Sequence, residues 1–308
     1  MHRLVFVILV ILSYYTVLEG QIPGQSFIGR WDLTITQDKQ ELPSWLEITK
    51  SGRGTLVGRF VYAFGSARPI SHVVVDGDQF SFTIPNQWED LGNMSFTGTT
   101  SKDGLQGTMT YVDGKTYAWK GTLAPMLERT DTPIWGNTIE LFNGKNLDGW
   151  HVSGRSHWKV EDGTLVNVTS GGNLHSDQEF DDFKLRVVFK YPQGSNSGIY
   201  LRGRYEVQIE DNYGKYPSSL YFGGIYGFLT PNIMAAKPAG EWQEYVITLV
   251  GRRVTVVANG HPVITDQIIP GITGGAIDSD EGAPGPIFIQ GDHGPIEFKV
   301  VDITPALN

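Results

Sequence analysis

The segment Tyr205-Glu-Val-Gln-Ile-Glu210 sets an acid, an amide and a second acid at alternate positions. If it is extended, Glu206, Gln208 and Glu210 project from one face and Tyr205, Val207 and Ile209 from the other. The apolar face asks for a core. The polar face has what is needed to grip a hydroxyl-rich ligand or move a proton, although a solvated outer sheet face would alternate in the same way. Just upstream, Asn196-Ser-Gly-Ile-Tyr-Leu-Arg202 reads as a strand running into a sharp turn, so a hairpin must carry the row.

Other residues could join that chemistry. His293 lies in Gly291-Asp-His-Gly294, a flexible glycine-framed loop between two strand candidates, and an imidazole titrates near neutral pH. A turn histidine bonded to backbone would look the same. His175, in Gly171-Gly-Asn-Leu-His-Ser176, is similarly placed. Tyr226 and Trp242 offer rings on which a sugar could stack, though a Trp that opens a strand is as often core. Asp177, Asp181, Asp182, Asp211, Asp292 and His293 are potential oxygen and nitrogen ligands, but they follow no known metal-ligand spacing, so a divalent cation stays open. Asp278-Ser-Asp-Glu281 reads as a solvated acidic run in a Gly-rich loop.

The elements that must position these groups are strands. The 308 residues include 38 Gly and 16 Pro and show almost no apolar repeat at helical spacing, which marks an all-β chain. Eight strand candidates follow one another between Trp31 and Leu123, with Asp76-Gly77, Asp103-Gly104 and Asp113-Gly114 at tight turns. They predict a small antiparallel domain over residues 26–123, a meander closing into a barrel. Residues 124–137 lack any period and hold two of the prolines, as a linker does. Roughly ten further strand candidates over residues 138–308 imply two packed antiparallel sheets, one of them with a polar face able to hold a sugar.

Composition narrows the partners. There is no cysteine, hence no disulfide, and 40% hydrophobic content is enough to build a core. A formal net charge of −9 argues against nucleic acid and suits neutral, hydroxylated ligands. Met1-His-Arg3, the apolar run from Leu4 to Leu12 and Gly20 make residues 1–20 a signal peptide, so the protein is expected to be exported, periplasmic or extracellular. An uncleaved N-terminal anchor is the alternative, since Leu18 suits a small-x-small cleavage site poorly; no other membrane role is expected. Asn93-Met-Ser95 and Asn167-Val-Thr169 match the glycosylation triplet, which matters only in a eukaryotic secretory route.

The second domain carries an ordered set of motifs: Leu141-Phe-Asn-Gly-Lys-Asn-Leu-Asp-Gly-Trp150, Asp182-Phe-Lys-Leu-Arg186, Asn196-Ser-Gly-Ile-Tyr-Leu-Arg202, Tyr205-Glu-Val-Gln-Ile209, Gly224-Ile-Tyr-Gly227, Lys237-Pro-Ala-Gly-Glu-Trp242, Asn259-Gly260 and Pro286-Ile-Phe-Ile-Gln-Gly-Asp-His-Gly294. In that order it resembles the 3-keto-disaccharide hydrolase domain family, from about Ile139 to the C-terminus. The resemblance implies a concanavalin-like jelly roll and action on glycosides bearing a ketone at C3. Such a ketone acidifies the C2 proton, so a base can form an enolate that expels the glycosidic oxygen from C1, after which water adds. On that reading Glu206 or His293 is the base or acid, Arg202 steadies the enolate oxygen, and Gln208 and Asp211 hold hydroxyls. His175, Tyr226, Trp242 and Asp292 are further substrate contacts, and a bound divalent ion is an alternative to Arg202.

Two other function classes compete. Glu206-Val-Gln-Ile-Glu210 resembles the Glu-x-Asp-x-Glu strand of laminarinase-type retaining glycosidases, but Gln208 replaces the central acid, and the outer Cα atoms would stand roughly 13 Å apart on a regular strand. A non-catalytic, lectin-like carbohydrate-binding module would use the same face without moving a proton. The first domain lies outside the resemblance. Nothing about Trp45, Trp88 or Trp119 decides whether it walls the groove, binds a second stretch of glycan or serves as a spacer.

Overall fold

The computed structural model describes residues 24–88 and 92–308, so the signal-peptide reading falls outside the described residues. Among the described residues no helix is long and apolar enough to cross a membrane. The chain is all-β, as expected. Strands β1 (Gly29–Gln37), β2 (Gln40–Ser51), β3 (Thr55–Val61), β4 (Arg68–Asp76), β5 (Gln79–Pro85), β6 (Asn93–Ser101), β7 (Gly104–Thr110) and β8 (Thr116–Leu123) pair in sequence order. β8 pairs back onto β1, closing an antiparallel barrel with no free edge. Alternation builds its core: Phe80, Phe82 and Ile84 point inward while Gln79, Thr83 and Pro85 stay exposed. Gly77 and Gly114 take positive φ at two of the turns, where a side chain would be strained.

The remaining strands are β9 (Ile139–Glu140), β10 (Trp150–Ser153), β11 (Trp158–Glu161), β12 (Thr164–Asn167), β13 (Asn173–Phe180), β14 (Phe183–Lys190), β15 (Asn196–Leu201), β16 (Tyr205–Glu210), β17 (Gln243–Val250), β18 (Arg253–Ala258), β19 (His261–Ile268), β20 (Gly285–Ile289) and β21 (Ile296–Pro305). They form a jelly-roll-like sandwich of two antiparallel sheets, one ordered β10-β13-β20-β15-β16 and the other β11-β12-β21-β14-β17-β18-β19, with β9 on β21. Val207, Ile209, Ile199, Ile289 and Leu174 of the first sheet meet Leu185, Phe189, Tyr245, Ile247 and Val301 of the second in one buried core.

Strands β15, β16 and β20 of the first sheet are buried on both faces, which corrects the solvated alternative for the Glu206 row. Its edge strand β16 is covered by a return of the chain: Gly223 donates to the Gln208 carbonyl at 2.9 Å, Gln208 to Gly224 at 2.9 Å, and Tyr226 to Glu206 at 3.0 Å. The barrel lies against this return and against residues 271–276. The Gly275 amide donates to Ala63 at 2.8 Å, and Trp45, fully buried, packs edge-on against Phe228 at 5.2 Å between ring centres. A Cβ on Gly227 would lie 2.5 Å from the Ala67 nitrogen, so the two domains meet backbone to backbone.

A second junction is ionic. Glu281 is fully buried against Arg252 and accepts from the Tyr205 hydroxyl at 2.6 Å, while Asp32 of the barrel comes up beside it. Burial, with Glu281 alongside, pushes the Asp32 carboxyl up to about 8. The acidic run read as solvated is therefore partly structural, and Asp278 likewise holds Arg204 through two hydrogen bonds of 2.7 and 2.8 Å.

Candidate active site

The register of the first sheet lines up one row of side chains on the face turned away from the sandwich core. His151 stands opposite His175, His175 opposite Phe288, Phe288 opposite Tyr200, and Tyr200 opposite Glu206. Their rings stack in turn, with centres 5.3 Å apart for His151 and His175, 4.6 Å for His175 and Phe288, and 4.2 Å for Phe288 and Tyr200. The next positions on the same face include Gly198, opposite Gln208, and Gln290, two residues on from Phe288. The sheet thus presents an aromatic row ending in a carboxyl, beside a second row rich in amides.

Glu206 is buried, and its surroundings favour the protonated carboxyl. A Cβ on Gly198 would lie 2.3 Å from Glu206 Oε1, so the carboxyl folds across β15 into space that only glycine leaves. The Tyr200 hydroxyl lies 3.0 Å from Glu206 Oε2 and 2.9 Å from the Gly274 carbonyl. It has one proton, and the carbonyl can only accept. The Tyr200 hydroxyl can donate to either: to the carboxylate when Glu206 is ionised, or to Gly274 when Glu206 is protonated and itself donates to Tyr200. Desolvation favours the second arrangement, pushing the Glu206 carboxyl up to about 8 from an ordinary 4.5 against the opposing effects of Tyr200 and His293.

His293 and Glu206 lie close enough that each alters the other's proton affinity. The His293 Nδ1 is 2.6 Å from Asp292 Oδ1, and that hydrogen bond, opposed by partial burial, raises the imidazole above its ordinary 6.5. With Asp292 on Nδ1, the Nε2 is the nitrogen left to exchange a proton. The loop expected to be flexible is pinned. Buried Asn167 of β12 donates to the Gly291 and Gly294 carbonyls at 2.8 and 3.2 Å, and Gly291 donates to Asn173 Oδ1 at 2.8 Å. Its amide being so engaged, Asn167 has no freedom to be a glycosylation site.

Other predicted residues divide. Gln208 sits beside Glu206, donates to Leu220 at 3.3 Å, and leaves its buried Oε1 without a partner; the Oε1 of Gln290 is likewise unpartnered. Two desolvated acceptors on one face are suited to sugar hydroxyls. Tyr226 is half-buried, within electrostatic reach of Glu206, and its phenol is raised by burial and by that neighbour, so it stays an O–H donor. His175 shares the face, but three strand spacings, about 14 Å, separate it from Glu206. It bonds Ser153 at 3.0 Å, and burial lowers it to about 4, so it is neutral.

Three assignments need correction. Arg202 sits in the β15–β16 turn at φ 52° and is fully buried on the other side of the hairpin, donating to Asp181 and the Gly251 carbonyl at 2.8 Å each and to the Tyr205 hydroxyl at 3.2 Å. A guanidinium so engaged is structural. Asp211 accepts from the Gly194 amide at 2.9 Å and secures the turn before β15. Trp242 belongs to the second sheet, under the ammonium groups of Lys190 at 4.9 Å and Lys299 at 4.5 Å. Among the described residues no group of three or more His, Asp and Glu is arranged to hold a metal ion.

Sequence reasoning missed Tyr200, Gly198 and Gln290. A three-residue turn at Arg202-Gly203-Arg204 sets Leu201 opposite Tyr205, and hence Tyr200 opposite Glu206. β13 has no strand signal in the sequence, because Gly171-Gly172 and a polar run hide its period.

Comparison with known proteins bears on the sandwich. A 3-keto-disaccharide hydrolase of Bacteroides thetaiotaomicron is 26% identical, over 34% of this chain and 50% of that protein, so the chain spans about half the length of this curated relative. Two solved candidate glycosyl hydrolases from Parabacteroides distasonis align over 59% and 56% of the chain and 96% and 94% of their own, at 28% and 20% identity and TM-scores of 0.48 and 0.45. The profile of the 3-keto-α-glucoside-1,2-lyase-like domain matches residues 137–304, more than half of the 308. The protein belongs to the 3-keto-α-glucoside-1,2-lyase-like family.

Proposed function

We propose that the protein is an exported enzyme that cleaves α-glucosides oxidised to a ketone at C3, by elimination across C1 and C2 followed by hydration. The observation that carries this reading is a buried Glu206 carboxyl, hydrogen-bonded to Tyr200, within electrostatic reach of the hydrogen-bonded Asp292–His293 pair. His293 Nε2 removes the C2 proton, its charge supported by Asp292 through Nδ1. The electron pair of the C2–H bond delocalises onto the C3 oxygen, with the Tyr226 hydroxyl as the donor for that enolate. As the enolate collapses, a C1–C2 double bond forms and the C1–O bond breaks. Glu206 gives its proton to the leaving oxygen, and Tyr200 then turns its hydroxyl to the new carboxylate. In hydration Glu206 takes a proton from water as it adds to C1, and His293 returns one to C2, restoring both groups. Gln208 and Gln290 accept sugar hydroxyls. The family's name and the activity carried by its Bacteroides relative support the substrate class.

Incubation with 3-keto-maltose and with maltose in heavy water tests the proposal. Cleavage of the keto sugar alone, with deuterium gained at C2, is the expected result. Cleavage of both would point to a retaining glycosidase, and binding without cleavage of either to a lectin-like module. Export rests on residues 1–20, and recovery of the full-length chain in the cytoplasm of its native cell would contradict it.

A further inference from the structure

The three barrel tryptophans that the sequence left undecided have separate fates. Trp119 is in the barrel core and Trp45 is buried at the junction with the sandwich, but Trp88 is 64% exposed. Trp88 lies at the end of the barrel nearest Glu206. Its ring reaches within 2.6 Å of where a Cβ on Gly65 would be, and the Gly65 carbonyl comes as near as 2.2 Å to a Cβ built on Gly274, whose own carbonyl accepts from Tyr200. Beside it opens a cavity of about 80 Å³, lined by Tyr62, Phe64, Arg68, Asn86, Trp88 and Tyr111. Phe64 is 60% exposed, and Tyr62 and Tyr111 stack 5.9 Å apart.

The polar groups are as informative as the rings. Among the described residues Asn86 Nδ2 is buried with no partner, and the Arg68 guanidinium donates to the Asn86 carbonyl at 3.5 Å. The cavity admits only the edge of a pyranose, whose apolar C–H face would lie on exposed Trp88 while an equatorial hydroxyl meets the desolvated Asn86 amide. A flat aromatic aglycone would use the rings and leave Asn86 unmet. Gln87 joins this cavity to the catalytic face. It accepts from the Ser66 amide at 3.0 Å and lies near enough to the Tyr226 phenol to lower its proton affinity.

The geometry points to a second sugar subsite at the open end of the barrel, with Trp88 as its platform and Asn86 as its hydroxyl contact, which takes the leaving pyranose of an α-linked disaccharide. The assignment rests on the proposed cleavage reading for which sugar lies at Glu206, but not for the binding itself. It makes the first domain part of the substrate site and accounts for its close packing on the Tyr226 segment.

The test compares kcat/KM for 3-keto-maltose and for methyl 3-keto-α-glucoside in the wild type, Trp88→Ala and Asn86→Ala. Trp88 is exposed, so its removal leaves folding intact. The disaccharide preference should fall about tenfold in Trp88→Ala and less in Asn86→Ala, with the methyl glycoside unaffected. An unchanged preference would overturn the subsite while leaving the proposed reaction standing. If no keto sugar is cleaved, an NMR titration with unoxidised maltose decides separately. A maltose-dependent shift of the Trp88 indole N–H, assigned by its loss in Trp88→Ala, supports the subsite, and no shift overturns it.

Discussion

Two buried charge clusters occupy opposite sides of the β15–β16 hairpin, and they differ in how their charges are matched. On one side Arg202 and Arg252 are paired with Asp181 and Glu281, with the Tyr205 hydroxyl between and the Asp32 carboxyl, held near 8, beside Glu281. On the other, Glu206 has neutral Tyr200 as its hydrogen-bond partner, and the cation nearest it in effect is His293, on a half-exposed loop. A buried pair that is matched fixes structure, whereas a buried carboxyl without a countercharge keeps its proton near neutral pH and can deliver it. Arg202 and Glu206 are four residues apart, and the sign of their charges gives no hint of this division.

Substitutions should separate the two sides. Glu206→Gln preserves shape and removes the transferable proton, so kcat should drop by about 10² to 10⁴ with the fold retained. His293→Gln should cost about 10² and remove the acid limb of the pH profile. Arg202→Met should cost about 3 kcal/mol of stability, read by chemical denaturation, while activity per folded molecule stays near wild type. A stable Arg202→Met protein without turnover would break the comparison.

Protonation sharpens it further. The proposed mechanism requires neutral His293 and protonated Glu206, so kcat/KM should rise as pH passes the His293 value, which lies above 6.5, and fall through about 8 as Glu206 ionises. Stability follows from the same shift. The folded state binds the Glu206 proton more tightly than the unfolded chain, so this contribution is complete below 4.5 and is lost as pH rises through about 8. The melting temperature of Glu206→Gln relative to wild type should therefore climb between pH 5 and pH 9, as should that of Asp32→Asn, whose carboxyl is also held near 8. The smallest effect belongs to Trp242→Ala, which lies on the other sheet and should leave kcat/KM within about twofold.

Much of this molecule can be read without coordinates, because strand alternation and turn glycines are local signals. The eight barrel strands and the Glu206 row follow from period two alone. Burial of that row does not, since it depends on the Tyr226 return and the barrel, which meet β16 from far along the chain. Arg202 misled because a turn residue has no alternation to fix its direction, and its partners Asp181 and Gly251 are distant in sequence. Trp242 misled because an aromatic residue opening a strand reads alike on either sheet. Gly198 was quoted as part of a motif, yet its role as the space for the Glu206 carboxyl appears only once two strands are laid side by side.

The central claim is that Glu206 carries a proton at neutral pH. Difference infrared spectroscopy of wild type against Glu206→Gln at pH 7 reads it directly, because the other buried carboxyls cancel. A protonated-carboxyl C=O stretch lost in the variant, and replaced by carboxylate bands in wild type above pH 8, is the predicted result. Carboxylate bands from Glu206 already present at pH 7 would contradict the account.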